Sequence, residues 1–267
     1  MRITSVIENT SSCGLPVEHG LCLWIEACGR KFFFDLGQSA LFAENAVRLG
    51  IEVNRAEFAV VSHGHYDHGG GIKIFTELNS GAPIYLQRDA FGEYYSMKEH
   101  GPKYIGLSKD LVLNSRIIST QGVVAISEGI VVFDGCDGHD FFSPANKRIL
   151  KKCGDCLCDD TFTHEQSMVI TEGNNRILIA GCAHSGIINI MRRAERLIGK
   201  PVTHVIAGLH LVGVEDSSFI DCFGQELLCH NCEYYTCHCT GEYAYKRLSR
   251  VMGDRIHYLS CGDSITI

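Results

Sequence analysis

The chain has 267 residues, 45% of them hydrophobic and 21% charged, enough to bury one sizeable core, so one domain over residues 1–267 is expected. A net charge of −7 offers no broad basic surface to neutralise a phosphate backbone, which argues against nucleic acid as a partner. Residues 1–9 alternate Ile3, Val6 and Ile7 with polar residues and lack the basic and apolar regions of a signal peptide. No apolar run approaches the ~20 residues of a membrane span, so no membrane partner and a cytoplasmic location are expected.

Residues 21–27 and 31–34 read as two strands joined at Cys28-Gly29-Arg30. Residues 39–49 space Leu41, Phe42, Ala46, Val47 and Leu49 as a helix does, and Gly50 closes it. The apolar run 58–61 suits a buried strand and delivers the chain into Ser62-His63-Gly64-His65-Tyr66-Asp67-His68-Gly69-Gly70-Gly71. Further strands are predicted at 83–87, within 122–133, at 168–171 and at 176–180; 187–198 is helical in spacing, 202–207 a strand, 243–252 a helix and 258–267 a last strand-like segment. Residues 91–113 and 143–163 match neither period. Long irregular segments in a compact chain are usually functional loops, so substrate contacts are expected on these two insertions, and 222–239 stands apart as a Cys-rich segment.

His63 and His65 are two apart in an extended turn, so both imidazoles can face one side while Gly64 lets the backbone bend closely between them. Asp67 and His68 follow at once, and three glycines remove side-chain bulk. Imidazoles with one carboxylate suit zinc, iron or manganese, and the preceding strand gives them a rigid mount. A merely solvated histidine-rich turn has no need of this order of donors. His184 lies after a strand and before a helix, between Gly181 and Gly186, a ligand-like placement. His210 also follows a strand, between Leu209 and Leu211, and is placed near the site, where it could donate to a phosphate or product oxygen, with plain packing as the alternative. His19, His100, His139, His164, His204, His230 and His257 lack comparable support and default to structural or solvated roles.

Fourteen cysteines in a chain of this length read as reduced thiols, some of them metal ligands. Cys13, Cys22, Cys28, Cys136, Cys182, Cys222 and Cys261 are single and read as small buried hydrophobes. Cys153-x-x-Cys156 and Cys229-x-x-Cys232 have the spacing of thiolate sites, near Cys158 in the first group. The two pairs are expected to meet in one zinc or iron–sulfur site, with free thiols as the alternative. Cys237 and Cys239 flank His238 and point away from it if that stretch is extended.

Residues 62–71 resemble the His-x-His-x-Asp-His signature of the metallo-β-lactamase superfamily. Glu18-His19-Gly20-Leu21, Phe34-Asp35-Leu36-Gly37, Asn45, Gly181-Cys182-Ala183-His184-Ser185-Gly186-Ile187, Gly208-Leu209-His210-Leu211 and His238-Cys239-Thr240-Gly241 extend the likeness over nearly the whole chain. Together they resemble the 7,8-dihydropterin-6-methyl-4-(β-D-ribofuranosyl)-aminobenzene-5′-phosphate synthase-like subgroup, named for a step in methanopterin biosynthesis. The resemblance implies an α/β fold of four αββα layers, two mixed sheets inside and helices outside, with the metal site at one edge. It implies one ion on His63, His65 and His184, another on Asp67, His68 and His238, and a bridging water or hydroxide. Asp35 would support the histidine loop without being a ligand. Many superfamily members carry a bridging aspartate after a later strand; here the comparable strand runs into Gly181-Cys182, and Cys182 is expected beside the ligands rather than among them.

Two such ions would acidify a bound water and neutralise charge building on a phosphoryl or carbonyl oxygen. The expected function is therefore a dinuclear metal-dependent hydrolase of a phosphoester, thioester or lactone, or a phosphoribosyl-type transferase, acting on a small, phosphorylated molecule. Zinc is the first choice of metal, with iron and manganese as alternatives. Asp67 and His210 are the candidate catalytic groups, although metal-bound hydroxide is a better base than a ligand carboxylate. Two other classes fit the same residues: a redox protein with a di-iron site and a Cys-ligated iron–sulfur cluster, and a metal-dependent binding protein without turnover.

Overall fold

In the computed structural model, which describes residues 1–267, three consecutive phenylalanines lay out the architecture. Side chains alternate across a strand. In β3 (Arg30–Phe34), Phe32 and Phe34 therefore enter a core shared by two large sheets, while Phe33 enters a second core shared with helices. Each buried phenylalanine is worth about 1.5–3 kcal/mol relative to exposure, so this alternation fixes which face of the strand goes where.

The first sheet has seven strands. β1 (Arg2–Ile7), β2 (Cys22–Ala27) and β3 run antiparallel, and β4 (Phe58–Val61), β5 (Ile84–Gln87) and β8 (Ile117–Thr120) continue parallel to β3. A short edge strand, β18 (Ser264–Thr266), closes it beside β1. The second sheet also has seven strands. β9 (Val123–Ser127), β10 (Ile130–Phe133), β13 (Ser167–Glu172) and β14 (Asn175–Ala180) are antiparallel, while β15 (His204–Gly208), β16 (Glu233–Cys237) and β17 (Ile256–Tyr258) run parallel to β14. Helices α1 (Leu41–Arg48) and α3 (Ile72–Leu78) cover the outside of the first sheet; α4 (Ile187–Ile198), α5 (Ser217–Leu228) and α6 (Glu242–Met252) cover the second. The result is the expected αββα sandwich. The one-turn helix α2 (Tyr66–Gly69) carries the end of the histidine motif.

The two segments expected to be irregular are not. β6 (Tyr94–Lys98) and β7 (Gly101–Tyr104) form one hairpin, β11 (Ile149–Cys153) and β12 (Cys156–Asp159) another, and together they make a third, four-stranded sheet. Its only buried apolar cluster is Tyr94, Ile105, Ile149 and Phe162, so the strands show almost no hydrophobic alternation to read. Helix α5 was also missing from the sequence reading; it begins at Asp216, whose carboxylate accepts from the backbone N–H groups of Ser218 and Phe219. Residues 258–267 are not one strand, for β17 and β18 belong to different sheets. No helix is long and apolar enough to cross a membrane.

Candidate metal centre

The residues that converge at one edge of the sandwich all lie just beyond strand ends: Asp35 after β3, residues 62–68 after β4, residues 181–184 after β14, His210 after β15 and His238 after β16. Asp35, Ala183, His210 and His238 have φ of 59°, 52°, 48° and 49°, a left-handed conformation that non-glycine residues adopt at a cost. Two glycines permit the close approach. A Cβ at Gly64 would lie 2.2 Å from the Ala90 carbonyl oxygen, and one at Gly181 2.2 Å from Ser62 Oγ.

His63, His65, Asp67, His68, His184 and His238 come together there, all buried. His63 Nε2 and His65 Nδ1 are 2.9 Å apart, and the His63 ring centroid is 4.9 Å from that of His184. On the other side, Asp67 Oδ2 is 3.4 Å from His238 Nε2 and 3.8 Å from His68 Nε2.

Hydrogen bonds fix the orientation of four of the imidazoles. Ser62 Oγ donates to Asp35 Oδ2 at 2.9 Å, so it accepts from His63 Nδ1 at 2.8 Å. His68 Nδ1 donates to Asp35 Oδ2 at 2.6 Å, His184 Nδ1 to Asn146 Oδ1 at 3.0 Å and His238 Nδ1 to Asn9 Oδ1 at 2.8 Å. Asn146 Nδ2 donates to the His184 carbonyl at 2.8 Å and Gly20 N–H to Asn9 Oδ1 at 3.3 Å, which settles which amide end is the acceptor in each case. In these four rings the Nδ1 proton thus leaves the site and Nε2 faces in, whereas His65 turns its Nδ1 towards His63 Nε2. The Nε2 atoms of His65, His184 and His238 are buried with no hydrogen-bond partner. Unpartnered buried nitrogen is costly, and outward Nδ1 bonds with inward Nε2 are the arrangement of metal-ligating histidines, so these residues fit the ions implied by the resemblance.

The electrostatics agree. Burial, followed by the neighbouring imidazoles, holds His63 well below the ordinary histidine value, and burial does the same for His65 and His184. At Asp67 burial opposes ionisation, but the neighbouring imidazoles of His68, His19 and His238 outweigh it and keep the carboxyl well below its usual range. At His68 burial is outweighed by Asp35 and Asp67, which raise it. The centre sets His63, His65 and His184, which favour the neutral form, beside one firmly ionised carboxylate and a His68 that favours the charged form.

The surrounding residues were mostly invisible in the sequence. Asp35 stands behind the histidine loop as expected, accepting from the Ser62 N–H at 2.7 Å as well as from His68. Glu165, buried, accepts from the N–H groups of His184 and Ser185 at 2.7 and 2.8 Å, and burial raises its carboxyl. Glu8 accepts from the His238 N–H at 2.6 Å and from the Tyr258 hydroxyl at 2.7 Å. His164 is not a solvated histidine: it is fully buried, its Nδ1 accepts from the Gly64 N–H at 3.0 Å and its Nε2 donates to Asp160 at 2.9 Å. His19 reaches Asp67 Oδ2 at 3.1 Å from the solvent side.

A cavity of about 310 Å³ opens over the centre. Asp67, His184 and His238 line its floor, His210 borders it, and Lys98, Lys103 and Arg148 come from the third sheet and the segment leading into it. His210 Nδ1 is buried without a partner and its ring lies 4.2 Å from His184. Lys109 and Lys152 nearby are tied to Glu93, whereas Lys98, Lys103 and Arg148 make no ion pair.

The four-cysteine site does not form. Cys153 is bonded to Cys158 in a disulfide, so that pair is not a reduced thiol set, and Cys156 is exposed at the β11–β12 hairpin. Cys229 is exposed at the end of α5, and Cys232 is packed in the core of the second sheet before the first residue of β16, a strand's length from the metal edge. Without this site the iron–sulfur reading loses its ligands.

No protein-family model matches the chain. Among solved structures it is similar to Tm1679, a metal-dependent hydrolase of the β-lactamase superfamily, with a TM-score of 0.85 and 25% identity over 100% of this chain and 99% of that one. It also resembles the metallo-β-lactamase fold protein YhfI of Bacillus subtilis, with a TM-score of 0.58 and 13% identity over 99% of each chain. The fold and the edge-located cluster of donors define a metallo-β-lactamase fold protein. More narrowly, it is 29% identical to an uncharacterized protein of Methanocaldococcus jannaschii over 93% of this chain and 94% of that one. It is 23% identical to the 7,8-dihydropterin-6-methyl-4-(β-D-ribofuranosyl)-aminobenzene-5′-phosphate synthase of the same organism, over 90% of this chain and 88% of that one.

Proposed function

We propose that the chain is a dinuclear metal-dependent hydrolase of a small phosphorylated molecule. The observation that carries this is the set of four imidazoles whose Nδ1 protons are drawn outward by Ser62, Asp35, Asn146 and Asn9, leaving their Nε2 atoms facing one another beside Asp67. His63, His65 and His184 would hold one divalent ion and Asp67, His68 and His238 the other, zinc in the first instance. When bound, such ions make water a nucleophile near neutral pH and neutralise charge on the attacked group.

The chain's own residues supply the rest. Lys98, Lys103 and Arg148, free of carboxylate partners, bind and orient the anionic end of the substrate across the cavity from the histidines. Half-buried His210 borders the cavity with an unbonded Nδ1 and can donate a proton from that atom to the departing oxygen. Asp67, bonded to exposed His19, would help hold its ion and orient the proton of the attacking water. The third sheet shields the reacting bond from bulk water; it is anchored to the motif by the Tyr66 N–H bond to the Ile105 carbonyl at 2.9 Å. The hydrolase named among the similar structures supports hydrolysis. The synthase among the relatives supports the transferase counterpart, in which the same cations hold a diphosphate leaving group.

The test is turnover of p-nitrophenyl phosphate and of the uncharged p-nitrophenyl acetate by metal-loaded protein. Preference for the phosphate ester, with KM raised roughly tenfold by Arg148→Ala or Lys98→Ala and kcat little changed, is expected, since one charged hydrogen bond is worth about 1.5–3 kcal/mol. Equal use of both esters, or no effect of the cations, would overturn the substrate class.

A further inference from the structure

We propose that the Cys182 thiolate is a shared ligand of both ions, a sulfur bridge between the His63–His184 and His68–His238 halves of the centre. The proposal rests on the two-metal reading above and adds a donor to it.

Cys182 Sγ belongs to three clusters of candidate ligand atoms, one with His63 and His184, one with His68 and His238 and one with His210 and Cys239, and within each cluster all atoms lie within 4.8 Å of one another. It is the one residue common to the first two. Sγ lies 3.2 Å from His68 Nε2, and the Nδ1 of that ring is committed to Asp35, so thiol and imidazole nitrogen confront each other across the space an ion would take.

Apolar packing does not account for the thiol, whose other neighbour is the Cys239 side chain. Cys182 is 3% exposed, yet it joins none of the apolar clusters that absorb Cys22, Cys232 and Cys237. The strained Ala183 and the close contact of Gly181 with Ser62 hold it in place. Cys239, next to it, is occupied differently: its sulfur accepts from the His210 N–H at 3.2 Å and faces the Cys182 carbonyl at 3.7 Å.

Charge points the same way. Histidines and one carboxylate leave two divalent cations largely uncompensated in a buried site, and a thiolate adds a second negative charge between them, where it offsets both. A thiolate sulfur has lone pairs enough to bind two ions, each at about 2.3 Å in the case of zinc. The thiol proton leaves to solvent as the ions load.

Metal-free protein is titrated anaerobically with cobalt(II) and followed by its near-ultraviolet sulfur-to-cobalt absorption and by metal content. The expected result is an absorption that grows through the second equivalent in the wild type and in Cys239→Ala. Cys182→Ala should lose it and bind the second ion at least about tenfold more weakly. Cys182→Asp, which offers a carboxylate at the same place, should restore two ions without the absorption. If Cys182→Ala does not fold by circular dichroism, the wild-type titration and Cys182→Asp decide. Two bound ions with no sulfur absorption, an absorption complete after one equivalent, or one that survives in Cys182→Ala would overturn the bridge and leave the two-metal reading intact. Binding of fewer than two ions by the wild type would overturn both.

Discussion

Asn146 grips His184 at both ends: its Oδ1 accepts from the ring Nδ1 at 3.0 Å, and its Nδ2 donates to the His184 carbonyl at 2.8 Å. The imidazole is thereby held in one tautomer and one orientation. Asn146→Ala should weaken the ion at the His63, His65 and His184 position about 10–100-fold, the usual effect of losing such a partner. Competition with a chelator measures it, and an unchanged affinity would show that the bond is incidental.

Asp67→Asn should abolish turnover with the fold intact. An amide oxygen is neutral, so occupancy of the second ion falls while the first, held by His63, His65 and His184, stays. The sandwich core depends on apolar strands such as β4 and β15 and survives. Metal analysis, thermal melting and activity check this together; wild-type activity at normal metal loading would refute the mechanism.

Metal-free protein should be sensitive to mild acid. His63, His65 and His184 are held below the ordinary value of 6.5, so below that pH the unfolded chain takes up protons that the folded one refuses. Three such protons amount to at most about 4 kcal/mol per pH unit, at roughly 1.36 kcal/mol each. His68, raised, is protonated in both states in that window and does not offset the loss. Melting temperatures of chelator-treated protein at successive pH values should fall steeply below about 6.5, and metal should blunt the fall. A flat profile would contradict buried neutral imidazoles.

Gly64→Ala should destabilise the protein by more than about 2 kcal/mol and disorder the metal site, because the added Cβ meets a backbone oxygen that cannot turn aside. Gly50→Ala, in open space but at φ 71°, is the comparison for conformational strain alone. Chemical denaturation of both variants separates clash from strain.

The histidine cluster was legible because it is local: residues 62–68 deliver four donors from one turn, and a strand before them is easily recognised. His184 and His238 could be placed by their loops and by resemblance. Their partners could not, since Asn9 lies 229 residues from His238 and Asn146 sits in a segment without periodicity. His164 carried one usable signal, an aspartate four residues earlier at Asp160, which the structure turns into a buried bond. The two Cys-x-x-Cys pairs misled for the opposite reason. Spacing alone does not gather four sulfurs, and the first pair belongs to a hairpin turn. The polar strands of the third sheet stayed hidden because they stand on other strands and bury little of their own.

Glu8, in the first turn of chain after β1, bonds the backbone of His238 near the other end of the sequence. The centre therefore cannot be completed before His238 is available. During synthesis the turn carrying His63, His65, Asp67 and His68 emerges early, and domains fold as units once enough chain is available. His184 appears much later, and His238 later still. Until then the early donors stay exposed and partly satisfied, able to catch a stray ion in the wrong geometry. Metal delivered once His238 has docked meets all six donors at once, so the order of loading and folding decides how much correctly assembled protein a cell obtains.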